Sequence, residues 1–406
     1  MYANLLVVLL ISISMAHAKN TCNITNISDF YTNLKFKSPI LLETNKQKEQ
    51  ISSLTDIAKQ RPNPEIDLEY LNGHQGENDL RSYTVTAQHV VEFGSKRDKR
   101  VNKAKSLQEL KKAEVDLKLF SSNLNATVEY HRVAQLNILI ESVEEVIHTF
   151  NKVIKKLSSR KRLTPEEVVS LSTLKLASND YRNQLNNLEN EKLVLIGRVS
   201  FLSNCKKVNP EYSELKFKSM KFEPEYPSAV GLSELEDLKV NYALGELDVQ
   251  KSLGYSNISI GPRIEYQGQG DLKFFTAGVS VSFAFPWFHT NDGGKLNAIK
   301  GVAAQKLASK NRKELLKIHK VNLVTKIRRS IDTLVNMPSL RELEKKHNKV
   351  EKLFSRGVVS IPMTIESHRQ QVDFLKSRFK IENEILSTYG ELIMIDGNTP
   401  AFEKVL

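Results

Sequence analysis

The sequence predicts an α+β membrane protein in which long antiparallel coiled-coil helices follow short amphipathic strands, in two internal repeats. The first observation behind this fold class is that the pattern strand, strand, long helix, tip and return helix occurs twice along the chain. The second is that the spacing of apolar residues changes within each repeat, from two in the strands to about 3.5 in the helices. A repeated unit constrains the architecture more than any single motif does.

The repeats divide the chain into five segments. We expect a signal peptide at 1–18, a first repeat at 19–205, a linker at 206–228, a second repeat at 229–397 and a C-terminal tail at 398–406. The first repeat is expected to contain strands at about 63–72 and 81–92, a long helix at about 95–157, a tip at 158–164 and a return helix at about 165–203. The second is expected to contain strands at about 256–267 and 272–286, a long helix at about 292–355, a tip at 356–362 and a return helix at about 363–395.

The first residues indicate export. An apolar run from Leu5 to Ser14 precedes Ala16-His17-Ala18, which has the form of a signal-peptide cleavage site, although the usual basic residues before the run are missing. The run is shorter than the roughly 20 residues that a membrane-spanning helix needs, so we favour a signal peptide over an anchor. Because no later segment is long and apolar enough either, a membrane-embedded form of the exported chain has to use β-strands.

The chain is basic, with a formal net charge of +12. Such an excess indicates nucleic acid, anionic lipid or an acidic protein as a partner, and export argues against nucleic acid. Most of the basic residues are scattered along helices, which is typical of a solvated face. One cluster stands out at the first tip: Lys155, Lys156, Arg160, Lys161 and Arg162.

The two cysteines, Cys22 and Cys205, leave two alternatives open. In an oxidising compartment they are a possible disulfide, which would join the start of the mature chain to the end of the first repeat. The other alternative is two unrelated thiols.

Four segments alternate apolar and polar residues with the period of a strand. The apolar positions are Ile66, Leu68, Tyr70, Tyr83, Val85, Ala87, Ile258, Ile260, Ile264, Tyr266, Phe275, Ala277, Val279, Val281, Phe283 and Phe285. Strands of about ten residues with one apolar face are what an outer-membrane barrel needs, and the alternative is a half-buried soluble sheet. Four strands cannot close a barrel, so several chains would share one, with Asp67, Glu69, Arg263 and Glu265 in its lumen. Pro262 is expected at an edge or a bulge, because it donates no hydrogen bond.

The helices carry apolar seams with a mean spacing of 3.5, which predicts that each repeat folds back as an antiparallel coiled-coil hairpin. The seams include Leu139, Val143, Val146, Phe150, Val153 and Leu157 in the first long helix, Leu174, Tyr181, Leu185, Leu188, Leu195 and Val199 in its return helix, and Val372, Leu375, Phe379, Glu382, Leu386, Tyr389 and Ile393 in the second return helix. Thr164 is predicted to cap a helix that begins at Pro165, and Gly357 to end one. Pro338 is predicted to kink or interrupt the second long helix.

Taken in order, these motifs resemble the outer membrane factors of the TolC type, and most closely their heavy-metal branch, of the CzcC or CusC kind. The resemblance rests on Pro62-Asn63-Pro64-Glu65-Ile66, on Val91-Glu92-Phe93-Gly94-Ser95-Lys96-Arg97, on Phe285-Pro286-Trp287-Phe288 with Gly293-Gly294, and on the tip Arg356-Gly357-Val358-Val359-Ser360. Ser95 departs from the E-x-G-G-K-R-like run that is typical of that branch. The tip is similar to the family's R-x-V-G-L-S docking pattern with Gly and Val displaced, and Arg162-Leu163-Thr164 keeps less of it.

The resemblance implies a homotrimer in the bacterial outer membrane, with most of each chain in the periplasm. Three chains would form a twelve-stranded barrel and a helical tunnel whose tips meet a periplasmic adaptor (membrane fusion) protein and, through it, an inner-membrane pump of the RND type. The chain would then be a passive exit duct with heavy-metal cations as its implied substrate, and not an enzyme. The residues assigned to adaptor docking on this basis are Arg160, Lys161, Arg162, Leu163, Thr164, Arg356, Gly357, Val358, Val359 and Ser360.

Three other functions remain as alternatives: an exit duct for type I protein secretion, a periplasmic coiled-coil adaptor, and a structural tunnel that has lost transport. The doubled strand pairs argue against an adaptor, which normally has one helical hairpin. No catalytic, cofactor or metal motif is found, since the nine histidines form no H-x-x-x-H pair. His347 and His368 lie on seam positions and are expected to be packed rather than to act as ligands.

Overall fold

The computed structural model describes residues 22–75, 78–220, 230–285, 287–288, 290–397 and 405. The predicted signal peptide, Pro286 and nearly all of the predicted tail lie outside these residues. The described helices are α1 (Ile27–Lys37), α2 (Pro39–Ser52), α3 (Leu54–Lys59), α4 (Lys96–Ser158), α5 (Pro165–Leu202), α6 (Leu232–Ser252), α7 (Asp292–Val335), α8 (Leu340–Ser355) and α9 (Ile361–Asp396). The strands are β1 (Asn23–Ile24), β2 (Glu65–Gln75), β3 (Asn78–Val91), β4 (Lys207–Val208), β5 (Ile258–Gln269) and β6 (Leu272–Phe283).

Four strands form one antiparallel sheet in the order β2-β3-β5-β6. The two hairpins are therefore joined through β3 and β5, whereas β2 and β6 lie at its edges among the described residues. The first hairpin is longer than predicted. Gly73 and His74, which lie between the two predicted strands, pair with Leu80 and Asp79, and the His74 ring lies 2.7 Å from the Asp79 carboxylate. At the other edge, β6 ends at Phe283, short of the predicted limit at 286.

Pro262 lies in β5, a central strand, so the expectation of an edge or a bulge is wrong. The pairing of β3 with β5 is interrupted between Thr86–Arg263 and His89–Ile260 and resumes in the same register. Pro262 is paired with Val279 of β6 on its other side. The sheet tolerates this proline because the missing donor interrupts only the β3–β5 ladder, without a change of register.

The long helices fold back as predicted. Helix α4, with 63 residues, is about 95 Å long and packs along α5, while α9 packs against both α7 and α8. The predicted seam residues of α4, α5 and α9 are buried or lie against the buried clusters. Leu139, Val143, Phe150, Leu174 and Phe379 belong to one cluster and are at most 1% exposed. The prediction of coiled-coil packing is thus confirmed at these positions.

The second long helix is not continuous over 292–355. Helix α7 ends at Val335, and Pro338 is followed by Ser339, which caps α8. The amide of Glu342 donates to Ser339 Oγ at 3.3 Å, and the amide of Ser339 donates to the Glu342 carboxylate at 2.8 Å. Proline cannot continue the hydrogen-bond ladder and the capping box begins a new helix, so the predicted interruption at Pro338 is confirmed.

Several elements were not predicted. Helices α1, α2 and α3 precede the first pair of strands, and α6 precedes the second and packs against α4 and α7. Near the middle of α4, a small cluster joins these parts of the chain: β1 pairs in parallel with β4, and Phe30 of α1 stacks on Tyr130 of α4 at 4.5 Å. Cys22 and Cys205 are bonded beside it, with a Cα separation of 5.3 Å, which is ordinary for a disulfide.

Candidate functional site

The four-stranded sheet has an unusual distribution of side chains. On β3, Ser82, Thr84 and Thr86 are only 5–7% exposed, whereas Tyr83 is 48% and Val85 44% exposed. On this central strand the polar side chains are thus the covered ones and the apolar side chains face outward, the reverse of a strand in a soluble sheet. The outward face also carries Ile66, Leu68, Tyr70, Ile260, Ile264, Phe275, Val279, Val281 and Phe283, all more than 40% exposed.

The register brings the four charged strand residues onto the polar face. Asp67 and Arg263 lie on either side of Thr86, and Glu69 and Glu265 lie on either side of Thr84. Directly opposite residues of neighbouring strands project from the same face of a sheet. Arg263 donates to the Glu265 carboxylate at 3.3 Å, and Ser82 donates to the same carboxylate at 3.3 Å. The structure therefore gathers the four residues into two adjacent rows; their location in a lumen stays a prediction.

The run Glu92–Arg97 forms the junction between β3 and α4. Glu92 and Arg100 form a two-pronged ion pair, with one contact at 3.0 Å, which holds the pKa of Glu92 below its ordinary value. Lys96 is buried and donates to Asn257 at 2.5 Å. Gly94 and Ser95 are both left-handed, with φ of 72° and 54°. A glycine would suit the position of Ser95, because glycine adopts this conformation without a steric cost. Asn291, which precedes α7, has the same left-handed conformation.

The first tip connects α4 to α5 and is strongly basic. Thr164 caps α5 as predicted: the Glu167 amide donates to its hydroxyl at 3.2 Å, and its own amide donates to the Glu167 carboxylate at 2.9 Å. Arg160 forms an ion pair with Glu167, while Lys161 and Arg162 are exposed. Leu163 packs against the coiled-coil cluster. At this tip, Lys161 and Arg162 are thus the exposed cations that have no described ion pair.

The second tip is closed differently. Gly357 has φ of 73°, its amide donates to Phe354 O at 2.9 Å, and the Val358 amide donates to Leu353 O at 3.0 Å. This pattern is a Schellman motif, so the prediction that Gly357 ends the helix is confirmed. Arg356 and Val358 are exposed, the latter at 70%. The docking role of all ten tip residues stays a prediction.

The two tips share a cavity of about 830 Å³. Arg160, Thr164 and Glu167 line it from the first tip, and Gly357, Val359 and Ser360 from the second. Helices α4 and α8 contribute further lining residues: Glu145, His148, Thr149, Lys152, Lys156 and Glu351. The structure thus brings together the two tips that the sequence could only treat separately.

A polar cluster lies beside this cavity and was missed by the sequence reasoning. His347 and His368 are buried, as expected for seam positions, but they converge with Glu351 rather than with apolar side chains alone. Burial, together with the neighbouring His347, lowers the pKa of His368. The signal that could have revealed part of the cluster is the H-x-x-x-E spacing of His347 and Glu351, which places both on one face of α8.

A second buried network surrounds Glu382 of α9, whose side chain is 1% exposed. Its carboxylate accepts hydrogen bonds from Gln135 at 2.9 Å and Tyr212 at 2.7 Å, and Arg378 Nε lies 3.2 Å away. Burial and the adjacent carboxylate raise the pKa of Tyr212. The network ties the segment after β4 to α4 and α9.

No protein-family model matches this sequence, and no curated protein matches it. Among solved structures, the chain is similar to the outer membrane protein VceC from Vibrio cholerae, with a TM-score of 0.64, 12% identity, and coverage of 91% of this chain and 96% of that one. For the CmeC outer membrane channel of Campylobacter jejuni, the TM-score is 0.65 and the identity 13%, with coverage of 91% of this chain and 85% of that one. For CusC, whose structures concern folding and transmembrane channel formation, the TM-score is 0.63 and the identity 11%, with coverage of 93% and 94%. At these identities the likeness establishes the fold, which is that of outer membrane channel proteins.

Proposed function

We propose that this chain is a subunit of a trimeric exit duct of the TolC type in the bacterial outer membrane. The duct passively conducts substrate from a periplasmic adaptor and an inner-membrane pump to the outside. The energy comes from the pump, so the chain itself needs no catalytic residues. The likeness in fold to VceC, CmeC and CusC supports this proposal.

The observation that carries it is the inverted sheet. An apolar face of this size is stable against lipid, whereas in water it would favour aggregation. The edges at β2 and β6 also need partners, because an open edge is unfavourable in a membrane. In a trimer, β6 of one chain would pair with β2 of the next, which leaves no open edge and gives the twelve strands that enclose a lumen.

The helices carry the duct into the periplasm, and their tips are proposed to contact the adaptor. Helix ends leave backbone groups without partners inside the helix, which suits end-on contact with another helical hairpin. Exposed apolar residues flank the exposed cations of the tips: Val168, Val169 and Val358. An acidic adaptor surface with apolar residues would be complementary to them.

The substrate is proposed to be a heavy-metal cation, which the resemblance to the heavy-metal branch suggests. CusC, VceC and CmeC have nearly equal TM-scores, so the fold does not favour that branch over the others. The polar face adds modest support, because three of its four charged residues are carboxylates. A type I secretion duct with the same architecture is the second candidate, and the pump would be of another class in that case.

The proposal is tested by native mass and by conductance. Detergent-solubilised protein is expected to contain three chains and to form cation-selective pores in planar bilayers. The double variant Asp67→Lys, Glu69→Lys is expected to reduce or reverse the cation selectivity, whereas Asp56→Lys on α3 is expected to leave it unchanged. A monomer that stays in solution without detergent, or a trimer without conductance, would contradict the proposal.

A further inference from the structure

We propose that His347, Glu351 and His368 form a binding site for a divalent transition-metal cation, with Zn²⁺ as the reference ion. His347 and Glu351 lie one turn apart on α8, and His368 faces them from α9. One ligand atom from each residue lies within 4.8 Å of the other two. The proposal does not depend on the duct function, because it concerns a cation bound to the helices and not one that passes through a lumen.

The burial of the imidazoles is the first argument. The side chain of His368 is 1% exposed and that of His347 is 5% exposed, and their rings lie 5.1 Å apart. Neither nitrogen of His368 makes a hydrogen bond to a described residue, nor does Nε2 of His347. Buried polar atoms normally have aligned hydrogen-bond partners, so two buried imidazoles that each direct one nitrogen toward Glu351 without such a partner point to a ligand that the site is built to hold.

The surrounding carboxylates are the second argument. Glu351 Oε1 lies 3.1 Å from His368 Nε2, and Glu145 Oε1 lies 3.1 Å from His347 Nε2. Both contacts are close, but they are not aligned for hydrogen bonds. Thr149 donates to Glu351 Oε1 at 3.4 Å and so orients that carboxylate, as a supporting residue does around a metal.

The donor set selects the class of cation. Two imidazoles and one carboxylate are typical ligands of Zn²⁺, whereas Mg²⁺ and Ca²⁺ prefer oxygen ligands alone. With Zn–N distances of about 2.0–2.1 Å, tetrahedral ligand atoms lie about 3.4 Å apart. The Glu351–His368 pair, at 3.1 Å, is close to this separation, and the other pairs, which lie within 4.8 Å, would have to close by up to about 1.4 Å on binding. Glu145 or a water from the tip cavity can occupy the fourth position, since Glu145 and Glu351 both line that cavity.

A bound cation would fix the second tip. His347 and His368 lie on the two helices that Arg356–Ser360 connects, so coordination would hold α8 to α9 directly above the proposed docking surface. Helix α8 is also separated from α7 by the break at Pro338, which leaves its position dependent on α9. The site would therefore couple the supply of a metal ion to the rigidity of this tip.

The test is a titration of the full chain, purified in detergent and freed of metal by a chelator, with Co²⁺ and then with Zn²⁺ as a competitor. We expect one Co²⁺ per chain, with the visible absorption of a four-coordinate site that includes imidazole, displaced by Zn²⁺. Glu351→Gln, His347→Ala and His368→Ala are each expected to weaken binding at least about tenfold. His148→Ala, an exposed histidine that lines the same cavity, and His319→Ala on α7 are the matched controls and are expected to bind as the unaltered chain does.

The outcomes are decisive even where a variant folds poorly. His368 is deeply buried and its replacement can disturb the tip, whereas Glu351→Gln keeps the volume of the side chain and removes only the charged ligand. The stoichiometry of the unaltered chain needs no variant. Absence of Co²⁺ and Zn²⁺ binding in that chain, or equal binding in all variants, would overturn the proposal and identify the cluster as packed histidine–carboxylate pairs. Either result leaves the conductance test of the duct unaffected.

Discussion

The hydroxyl of Tyr212 donates a hydrogen bond of 2.7 Å to the carboxylate of Glu382. Tyr212 lies in the segment that follows β4, and Glu382 lies on α9, 170 residues further along the chain. Because the Glu382 carboxylate is buried, the loss of a hydrogen-bond partner there costs more than it would at the surface. The contact therefore holds the segment that follows β4 against α9.

Tyr212→Phe is expected to lower the free energy of unfolding by about 1.5–3 kcal/mol, the range for a hydrogen bond to a charged group. Tyr255→Phe is the matched control, because Tyr255 is 61% exposed, and it is expected to change stability by less than about 0.5 kcal/mol. Thermal unfolding in detergent, compared between the two variants, measures the difference. Equal stabilities would show that the remaining partners of Glu382 compensate fully.

The ion pair between Glu92 and Arg100 predicts a dependence of stability on acid pH. The folded-state pKa of Glu92 is depressed from its ordinary value of 4.5, because Arg100 donates hydrogen bonds to the ionised form. The stabilisation is therefore complete above pH 4.5 and is lost as the pH falls through the folded-state pKa. The stability difference between the unaltered chain and Glu92→Gln is expected to be constant between pH 6 and 8 and to shrink below 4.5.

This second prediction is checked by thermal unfolding of both chains at pH 7 and at pH 3. Glu342→Gln serves for comparison, because Glu342 also has a depressed pKa but lies at the N-terminus of α8, far along the chain from the β3–α4 junction. A difference that stays the same at both pH values would mean that Glu92 contributes through packing and not through its charge.

The sequence predicted the coiled-coil seams well because burial along a helix hairpin depends on local spacing. Leu139, Phe150 and Phe379 are buried where the 3.5-residue period requires it. The sequence did not predict the contacts between segments that lie far apart along the chain. Glu382 was assigned to an apolar seam, and neither Tyr212 nor Arg378 could be recognised as its partner.

In the candidate sites, too, local patterns could be predicted and contacts between distant segments could not. The alternation of β3 predicted which side chains share a face, but only the register places Asp67 and Arg263 on either side of Thr86. The convergence of His347 with His368 depends on how α8 and α9 are aligned along their hairpin, and the seam spacing that predicts the hairpin does not specify this alignment. Helix α6 was missed because it carries no long seam of its own and is defined by its contacts with α4 and α7.

Ser95→Gly is expected to stabilise the chain by about 0.5–1 kcal/mol. The left-handed conformation of Ser95 is unfavourable for a residue with a Cβ, and its side chain makes no capping hydrogen bond to lose. Ser172→Gly, at an exposed helical position in α5, is the opposite control and is expected to destabilise by about 0.5 kcal/mol. Denaturant midpoints of the two variants should therefore move in opposite directions, and a loss of stability in Ser95→Gly would contradict the prediction.

The disulfide between Cys22 and Cys205 spans 183 residues of sequence and is expected to stabilise the chain by about 2–4 kcal/mol. A reductant should lower the unfolding midpoint of the unaltered chain to that of the Cys22→Ser, Cys205→Ser double variant. The double variant should not respond to the reductant. Thiol counting confirms that reduction has occurred, and an unchanged midpoint in a fully reduced chain would rule out a stabilising role.

The last prediction concerns the first tip. Arg160 forms an ion pair with Glu167, so Lys161 and Arg162 are the exposed cations of the tip itself that have no described ion pair, and Lys155 and Lys156 add to the positive potential from the end of α4. Reversal of these two charges, as Lys161→Glu and Arg162→Glu, is expected to repel an acidic adaptor surface, because like charges in contact cost several kcal/mol across an interface. Transport should be abolished in cells, while the amount of the chain in the outer membrane should not change.

The matched control for that variant reverses two exposed basic residues of α7, as Lys310→Glu with Arg312→Glu, which makes the same change in net charge outside the two tips. If the tip acts through its exposed cations, the α7 control should retain transport and crosslinking to the adaptor, and the reversed tip pair should lose both. If both variants retain transport and crosslinking, the first tip is a solvated basic loop. Loss of transport with unchanged crosslinking would instead mean that these cations act after docking, because contact between the tip and the adaptor would then survive the reversal.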